Sequence, residues 1–252
     1  LTTTGSTVFS GLEELPKGLL LWRGLLQWLG GIGIIVVAMV FLPELRVGGM
    51  QIFRSEGFDT MGKILPRATQ ISSSISTIYI TLTLVCAGSY MAAGMNPFDA
   101  TVHAMTTVAT GGFANYDASM GAFGPAVEYV AVVFMLLAAM PFVRFVQLSA
   151  TRDPRPMLRD SQIRTFLLTA LTIVLLVTIW RMLASGSVGE AAFRQSLFNV
   201  VSIMTGTGYA STDYGLWGPF ALLLFFFIGL MGGCAGSTAR SIKIFRYQLL
   251  FV

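Results

Sequence analysis

The sequence contains little charge, because only 11% of its 252 residues are Asp, Glu, Lys or Arg. Soluble domains carry about 25%, so these side chains are too few to cover a water-exposed surface. The low charge also excludes intrinsic disorder, which requires high charge and low hydrophobicity. Two cysteines and one histidine exclude a disulfide scaffold and a Cys- or His-rich metal domain. Hydrophobic residues make up 54% of the chain, and these figures predict an integral membrane protein.

Two further features bear on partners and completeness. The 16 basic and 12 acidic residues give a net charge of +4. The basic residues are spread among apolar runs and form no basic face, so we expect no nucleic-acid partner. The sequence starts with Leu1 and has no initiator Met, and it stops at Val252 inside an apolar stretch. We therefore expect the chain to be a piece of a longer protein.

The longest apolar runs are candidates for membrane spans, since a helix of about 20 residues crosses the hydrocarbon core. The predicted spans are 18–42, 71–94, 122–150, 163–184 and a fifth run that begins near Leu216 and is interrupted at Gly232. Two shorter apolar stretches, 98–109 and 191–203, are too short to cross, and each ends in a Thr/Gly-rich cluster. Such a stretch between two full spans predicts a re-entrant helix. Most of the basic residues fall on the opposite side of this topology, which predicts that side to be cytoplasmic.

Three Thr/Gly clusters recur at Gly5, Gly112 and Gly208, which are 107 and then 96 residues apart. The order of span, short helix, cluster and span repeats with them. We therefore predict an all-α integral membrane fold of repeated span–pore helix–span units around a central pore, with a broken second span in the third repeat. The predicted divisions are 1–42 (end of repeat 1), 43–69 (cytoplasmic loop), 70–150 (repeat 2), 151–162 (cytoplasmic loop) and 163–252 (repeat 3, with an intramembrane loop at 232–240).

The clusters have a composition suited to binding a monovalent cation. Gly allows backbone conformations closed to other residues, and rings of carbonyl oxygens can replace the hydration shell of such an ion. The predicted filter residues are Thr4, Gly5, Gly111, Gly112, Thr207 and Gly208. For any single cluster the alternative is an ordinary loop or a helix-packing position, but three occurrences at the same place in a repeated unit favour a filter.

The fifth apolar run contains three Gly within 232–236, each of which costs a helix about 1 kcal/mol relative to Ala. A polar, flexible segment at membrane depth must face a cavity, so it could obstruct ions below the filter. The predicted gating loop comprises Gly232, Gly233, Cys234, Ala235, Gly236, Ser237, Thr238 and Arg240. In the alternative interpretation the helix simply ends at the membrane interface, with Arg240 and Lys243 as headgroup anchors, and the composition does not decide between the two.

At these residues the sequence resembles the pore-forming subunit of the Trk/Ktr superfamily of potassium transporters, most closely the bacterial TrkH/TrkG branch. The resemblance extends from residue 1 to about 246. The matching stretches are the opening TTTGST, the run LQWLGGIG at 26–33, TTVATGGF at 106–113, TGTGYAS at 205–211 and GGCAGST at 232–238.

The resemblance implies four span–pore–span repeats around one pore, with the residues above in three of four filter strands and 232–238 in the gating loop. The fourth repeat is absent here, as is the start of the first. Family members usually continue the loop with more Gly, whereas this sequence has Ala239 and Arg240, and Arg240 could itself be a barrier charge. The resemblance further implies potassium uptake across the bacterial inner membrane by a multi-pass homodimer, with a cytoplasmic ring of nucleotide-binding regulatory subunits and no cofactor.

The sequence also suggests roles for charged, His and Cys residues outside the filter and the loop. Arg23 and Glu128 lie near the outer ends of predicted spans, where they either act electrostatically on the vestibule or extend to water. His103 is expected to be a hydrogen-bonded packing residue, and Cys86 and Cys234 to have no redox role. No catalytic motif is present, so we predict no enzymatic activity. The alternative function is a secondary transporter with a substrate site at a broken helix and alternating access.

Overall fold

The computed structural model describes residues 1–36, 68–186 and 189–250. Within these ranges the regular structure is helical, apart from an isolated β-bridge between Met231 and Ile242. The α-helices are α1 (Lys17–Val36), α2 (Ala68–Ala92), α3 (Pro97–Val108), α4 (Pro125–Ala138), α5 (Phe142–Thr151), α6 (Arg155–Leu158), α7 (Ser161–Ser185), α8 (Glu190–Thr205), α9 (Pro219–Leu230) and α10 (Ile244–Leu250). Short 3₁₀ helices occupy Leu12–Glu14, Ser119–Ala122 and Tyr214–Trp217. The predicted all-α class is confirmed.

Two described helices are long and apolar enough to cross a membrane, Ser72–Ala92 within α2 and Ser161–Ala184 within α7. The helices α4 and α5 together count as a third span if the bent pair is taken as one. The predicted span 18–42 corresponds to α1 as far as Val36, and the rest of it lies outside the described residues, as does most of the basic loop 43–69.

Side chains at the helix starts explain where two of these helices begin. The first N–H groups of a helix have no partner within it. Asn96 Oδ1 accepts from Asp99 N at 2.9 Å before α3, and Asp160 Oδ1 accepts from Gln162 N at 2.9 Å and from Ile163 N at 3.2 Å before α7. These capping bonds stabilise each helix by about 1 kcal/mol.

The two short apolar stretches form short helices, as predicted. Each packs against the long helix that precedes it, α3 against α2 and α8 against α7. Each ends immediately before a Thr/Gly cluster, since α3 ends at Val108 and α8 at Thr205. The order of long helix, short helix, cluster and helix therefore occurs twice. The division of the chain into repeats and its sidedness in the membrane stay predictions.

The predicted span at 122–150 is not one continuous helix. Helix α4 ends at Ala138, and the chain turns by 88° before α5 begins at Phe142. Pro141 precedes α5 and has no N–H to continue the helix. Hydropathy could not reveal the break, because the sequence is apolar on both sides of it.

Two clusters of buried side chains hold the helices together. The first includes Tyr79, Tyr90, Met135 and Tyr209, and it joins α2, α4 and the segment after α8. The second includes Phe166, Val174, Met204, Ile228 and Cys234, and it joins α7, α8, α9 and the segment after α9. The second and third Thr/Gly clusters adjoin these groups, since Val108 and Ala114 flank the second cluster and Met204 and Tyr209 flank the third.

Candidate functional site

Three short segments, which we call the filter segments, share one backbone pattern. They are residues 3–5, 110–112 and 206–208, and they are related by the same offsets of 107 and 96 residues that relate the clusters in sequence. In each segment the first and third residues have positive φ and the middle residue does not. The six positive φ values are 55° at Thr3, 76° at Gly5, 48° at Thr110, 78° at Gly112, 75° at Gly206 and 83° at Gly208.

The alternation of left-handed and other conformations rotates successive peptide units relative to one another, which an ordinary strand does not permit. Glycine adopts such a conformation readily, but Thr3 and Thr110 are β-branched and pay roughly 1–3 kcal/mol for it. Their conformation must therefore be held by surrounding contacts. Both Thr side chains are buried, and Thr110 Oγ1 donates a hydrogen bond to the carbonyl oxygen of Thr238 at 2.9 Å.

The three filter segments are in contact with one another. A Cβ built on Gly5 would lie 2.5 Å from the carbonyl oxygen of Gly111 and 3.8 Å from that of Thr207. A Cβ built on Gly112 would overlap the carbonyl oxygen of Thr207. Gly5 and Gly112 thus each face the carbonyl oxygen of the middle residue of the next filter segment, Gly111 and Thr207 respectively. Glycine is required at both positions, by φ and by this close approach.

The amides of the filter segments are bonded to the ends of the short helices. Gly112 N donates to Thr106 O at 3.4 Å, and Gly208 N donates to Ser202 O at 3.3 Å, with the same separation of six residues in each case. These N–H groups are therefore unavailable to other partners. The C-terminal ends of α3 and α8 also carry partial negative charge, which makes the neighbourhood of the segments favourable for a cation.

A chain of buried hydroxyl groups connects the end of the third filter segment to α3 and α2. Tyr209 Oη lies 2.5 Å from Thr106 Oγ1 and accepts from Thr107 Oγ1 at 3.3 Å. Thr107 Oγ1 also lies 2.8 Å from Tyr90 Oη. Because Tyr209 follows Gly208 directly, these bonds connect the end of the segment to both α3 and α2.

The segment 232–240, which we call the intramembrane loop after the sequence prediction, fills the break between α4 and α5. Cys234 N donates to Ala139 O at 2.9 Å, and Thr238 N donates to Ala138 O at 3.2 Å. In the other direction, Phe142 N donates to the carbonyl oxygen of Gly236 at 2.9 Å. The two interrupted helices thereby satisfy each other's free backbone groups, as buried polar groups in a membrane require.

The intramembrane loop also contacts the second filter segment and the end of α8. The guanidinium of Arg240 donates through Nη2 to the carbonyl oxygen of Thr110 at 2.7 Å and lies 3.5 Å from that of Gly111. Its backbone N–H donates to Thr205 O at 3.3 Å, at the end of α8. Arg240 therefore faces the filter segments, and the alternative in which it anchors a lipid headgroup is wrong. The Lys243 side chain likewise turns inward and donates to Ala239 O.

The expectation that Arg23 and Glu128 extend to water is also wrong, since both side chains are buried. Glu128 on α4 forms an ion pair with Arg194 on α8, and Arg194 Nε also bonds Glu190 at 2.8 Å. Arg23 Nη2 donates to Thr7 Oγ1 at 2.8 Å. Burial without such partners would be costly for these charges, and their partners lie on other elements that the sequence does not place.

The remaining chemistry-bearing residues have structural surroundings. His103 is fully buried, with Nδ1 2.8 Å from the carbonyl oxygen of Asp99, which confirms the predicted packing role. Cys86 and Cys234 are buried free thiols. Within residues 1–36, 68–186 and 189–250, no group of three His, Cys, Asp or Glu side chains could hold a metal ion.

Sequence reasoning missed several residues of this site. It named the pairs ending in Gly5, Gly112 and Gly208, but not the first residue of each segment, Thr3, Thr110 or Gly206. Aligning the clusters on their last Gly would have placed these three at one position. Nothing in the sequence indicated that the Tyr209 hydroxyl reaches α3, because that contact depends on how the two units pack.

Comparison with known proteins agrees with this architecture. Residues 1–251 match the family model TrkH, described as "Cation transport protein". The chain is 47% identical over 252 residues to "Trk system potassium uptake protein TrkI" of Halomonas elongata, covering 99% of this chain and 51% of that protein. It is 41% identical to "Trk system potassium uptake protein TrkH" of Vibrio parahaemolyticus, covering 99% of this chain and 53% of the relative.

A solved structure is similar as well. The crystal structure of the potassium transporter TrkH from Vibrio parahaemolyticus superimposes with a TM-score of 0.88 at 38% identity, over 100% of this chain and 52% of that one. The chain spans about half the length of the relatives that it matches. It is a membrane protein, and the family is one of transporters and not of enzymes. The chain belongs to the TrkH family of cation transport proteins.

Proposed function

We propose that the native protein containing this chain takes up potassium ions across the bacterial cytoplasmic membrane through a filter of backbone carbonyls. The observation that carries this proposal is the shared geometry of the three filter segments, which have matched positive φ values and contact one another. Carbonyl rings of this kind replace the hydration shell of potassium. The relatives described above are named potassium uptake proteins, which supports the choice of ion.

A fourth filter segment, which the family resemblance implies, would complete the ring. A Cβ built on Gly208 meets no atom within 4 Å, whereas Gly5 and Gly112 each face a carbonyl of a neighbouring segment. The open side of Gly208 is where a fourth segment would lie. The ligands contributed by this chain would be the carbonyls of Thr4, Gly5, Gly111, Gly112, Thr207 and Gly208.

The intramembrane loop 232–240 is proposed as the gate. It lies against the second filter segment, since Thr238 and Arg240 both bond Thr110, so an ion that leaves the filter on this side must pass it. The loop is held by hydrogen bonds and not by covalent links, so it can be displaced. Arg240 adds a fixed positive charge, which repels cations while the loop is in place.

The proposed setting of the whole protein follows the family resemblance. We propose a multi-pass protein of the bacterial inner membrane that forms a homodimer and is regulated by a cytoplasmic ring of nucleotide-binding subunits. The basic segments 43–69 and 151–162 belong to the proposed cytoplasmic face. The leucine-rich surface of α7, where Leu168 and Leu183 are exposed, is suited to lipid contact.

Ion flux through the native protein in reconstituted vesicles tests the proposal. We expect potassium flux at channel-like rates that exceeds sodium flux under the same gradient. The variant Gly112→Ala should abolish selective flux, because a Cβ there overlaps Thr207 O and the residue has φ of 78°. The matched control is Gly88→Ala in α2, where a Cβ meets no atom within 4 Å, and it should leave flux unchanged.

Two outcomes would contradict the proposal. Equal potassium and sodium flux in the native protein would exclude a selective filter. Saturable, proton-coupled exchange of an organic solute would favour the alternative, a secondary transporter with a substrate site at a broken helix. The helix breaks after Ala138 and Leu230 are the structural basis for that alternative.

A further inference from the structure

The side chain of Gln27 on α1 is bonded to the backbone of the second filter segment. Gln27 Nε2 donates to the carbonyl oxygen of Gly111 at 2.8 Å, and Gln27 Oε1 accepts from Phe113 N at 3.0 Å. The two bonds lie on either side of Gly112. The side chain is only 1% exposed, so water does not compete for these partners.

This pair of bonds makes the Gln27 amide a substitute for a neighbouring peptide group. Residues in a sheet are held by donors and acceptors on the adjacent strand, and among the described residues the filter segment 110–112 lies beside no strand. The Gln27 amide provides both groups from a single side chain. Gly111 has no Cβ that could block this approach, and a Cβ built there would overlap the amide.

The residue one helical turn earlier on α1 strengthens the same junction. The Arg23 guanidinium lies over the Phe113 ring, with 4.4 Å between Cζ and the ring centroid. It also donates through Nη2 to Thr7 Oγ1 at 2.8 Å. Thr7 follows the first filter segment and Phe113 follows the second. The face of α1 that carries Arg23 and Gln27 therefore holds the ends of two filter segments in one arrangement.

We propose that Gln27 is a positioning residue that determines ion selectivity, because it fixes the orientation of the two peptide units around Gly112. This inference rests on the proposed potassium filter. Both accounts of potassium selectivity, cavity size and the number and field strength of coordinating carbonyls, depend on where the Gly111 carbonyl points. Without Gln27 that carbonyl is free to reorient, and the filter accommodates the smaller sodium ion.

The first test replaces Gln27 with a side chain of similar length that has no hydrogen-bonding amide. In the native protein reconstituted in vesicles, Gln27→Met should lower the ratio of potassium to sodium flux by about tenfold, the change that about 1.4 kcal/mol produces, while total cation flux persists. The matched control is Gln147→Met on α5, since Gln147 is also a buried Gln that bonds Arg144. The control should keep the native ratio.

A second variant tests the hydrogen-bonding role against a loss of packing. In Gln27→Glu the ionised carboxylate has no donor for Gly111 O, but the protonated carboxyl has one donor and one acceptor, like the amide. Selectivity should therefore be low at neutral pH and recover as the pH falls. The charged groups facing this position are Arg23 on α1 and Arg240, 3.5 Å from Gly111 O, and both keep their charge over this range.

The outcomes separate this inference from the proposed function. A native protein without potassium-selective flux would contradict the proposed function itself. If the native protein is selective and Gln27→Met keeps the same ratio with a native melting temperature, the inference is wrong and the filter proposal stands. A selectivity of Gln27→Glu that does not recover at low pH would show that packing, and not the donor, is what matters. If Gln27→Met does not fold, Gln27→Glu at low pH decides alone.

Discussion

The Arg240 guanidinium donates a hydrogen bond to the carbonyl oxygen of Thr110, with 2.7 Å between Nη2 and O. Arg240 lies in the intramembrane loop and Thr110 begins the second filter segment, so this bond joins the proposed gate to the proposed filter. The bond is reinforced by Thr110 Oγ1, which donates to Thr238 O in the same loop. Displacement of the loop requires that both bonds break.

Removal of the Arg240 side chain should therefore favour the open state. A hydrogen bond from a charged group contributes about 1.5–3 kcal/mol, so Arg240→Ala should raise potassium flux by about tenfold or more. The control is Arg246→Ala, because Arg246 is exposed and its guanidinium lies 5.9 Å from the centroid of the Phe245 ring. This control should keep the native potassium flux. Native flux in Arg240→Ala would show that this residue does not restrain the loop.

Tyr209 should support the filter through its hydroxyl alone. Tyr209→Phe keeps the ring but removes the group that bonds Thr106 and Thr107, and disturbing buried hydrogen bonds costs about 1–3 kcal/mol. We expect a lower melting temperature together with reduced potassium-over-sodium selectivity. Tyr79→Phe is the control, because the Tyr79 hydroxyl is equally buried but bonds Trp28 O. Tyr79→Phe should lower the melting temperature but keep the native potassium-over-sodium selectivity. If both variants change selectivity equally, the Tyr209 hydroxyl has no specific role in supporting the filter.

Asp117 should make the contact between its own loop and the start of the 3₁₀ helix Leu12–Glu14 sensitive to acid. Its carboxylate accepts from Gly11 N at 2.6 Å and Leu12 N at 3.1 Å, and these bonds lower the pKa of Asp117 below its ordinary value. The stabilisation is therefore present above the unfolded-state pKa of about 3.9 and is lost as the pH falls through the lower folded-state pKa.

Asp117→Asn should accordingly lower the melting temperature at neutral pH, and the difference from the native protein should vanish in acid. Melting curves measured from pH 7 to pH 3 provide the comparison. Asp153, whose carboxylate accepts from the nearby Arg155 N, serves as the control in Asp153→Asn. A difference that persists unchanged at the lowest pH would contradict this role of Asp117.

Substitution of Glu128 or Arg194 alone should destabilise the protein more than substitution of both residues of this buried ion pair. Loss of one partner of a buried ion pair leaves an uncompensated charge and costs about 3–5 kcal/mol. Arg194→Met or Glu128→Gln alone should therefore destabilise the protein strongly, and the double variant should recover part of the loss. The melting temperatures of the four proteins form the cycle, and strictly additive effects would show that the two charges do not interact.

The sequence by itself determined the membrane class, the two short helices, and the three Thr/Gly clusters with their offsets. These features follow from local composition: apolar length determines which helices can span, and Thr/Gly runs end helices. The tertiary structure alone decided that the apolar run at 122–150 is broken and that the loop 232–240 fills this break. It also decided that Arg240 and Gln27 reach the second filter segment and that the Tyr209 hydroxyl reaches α3. Such contacts join residues remote along the chain, and a uniformly apolar sequence carries no signal of which backbone groups are exchanged between two broken helices.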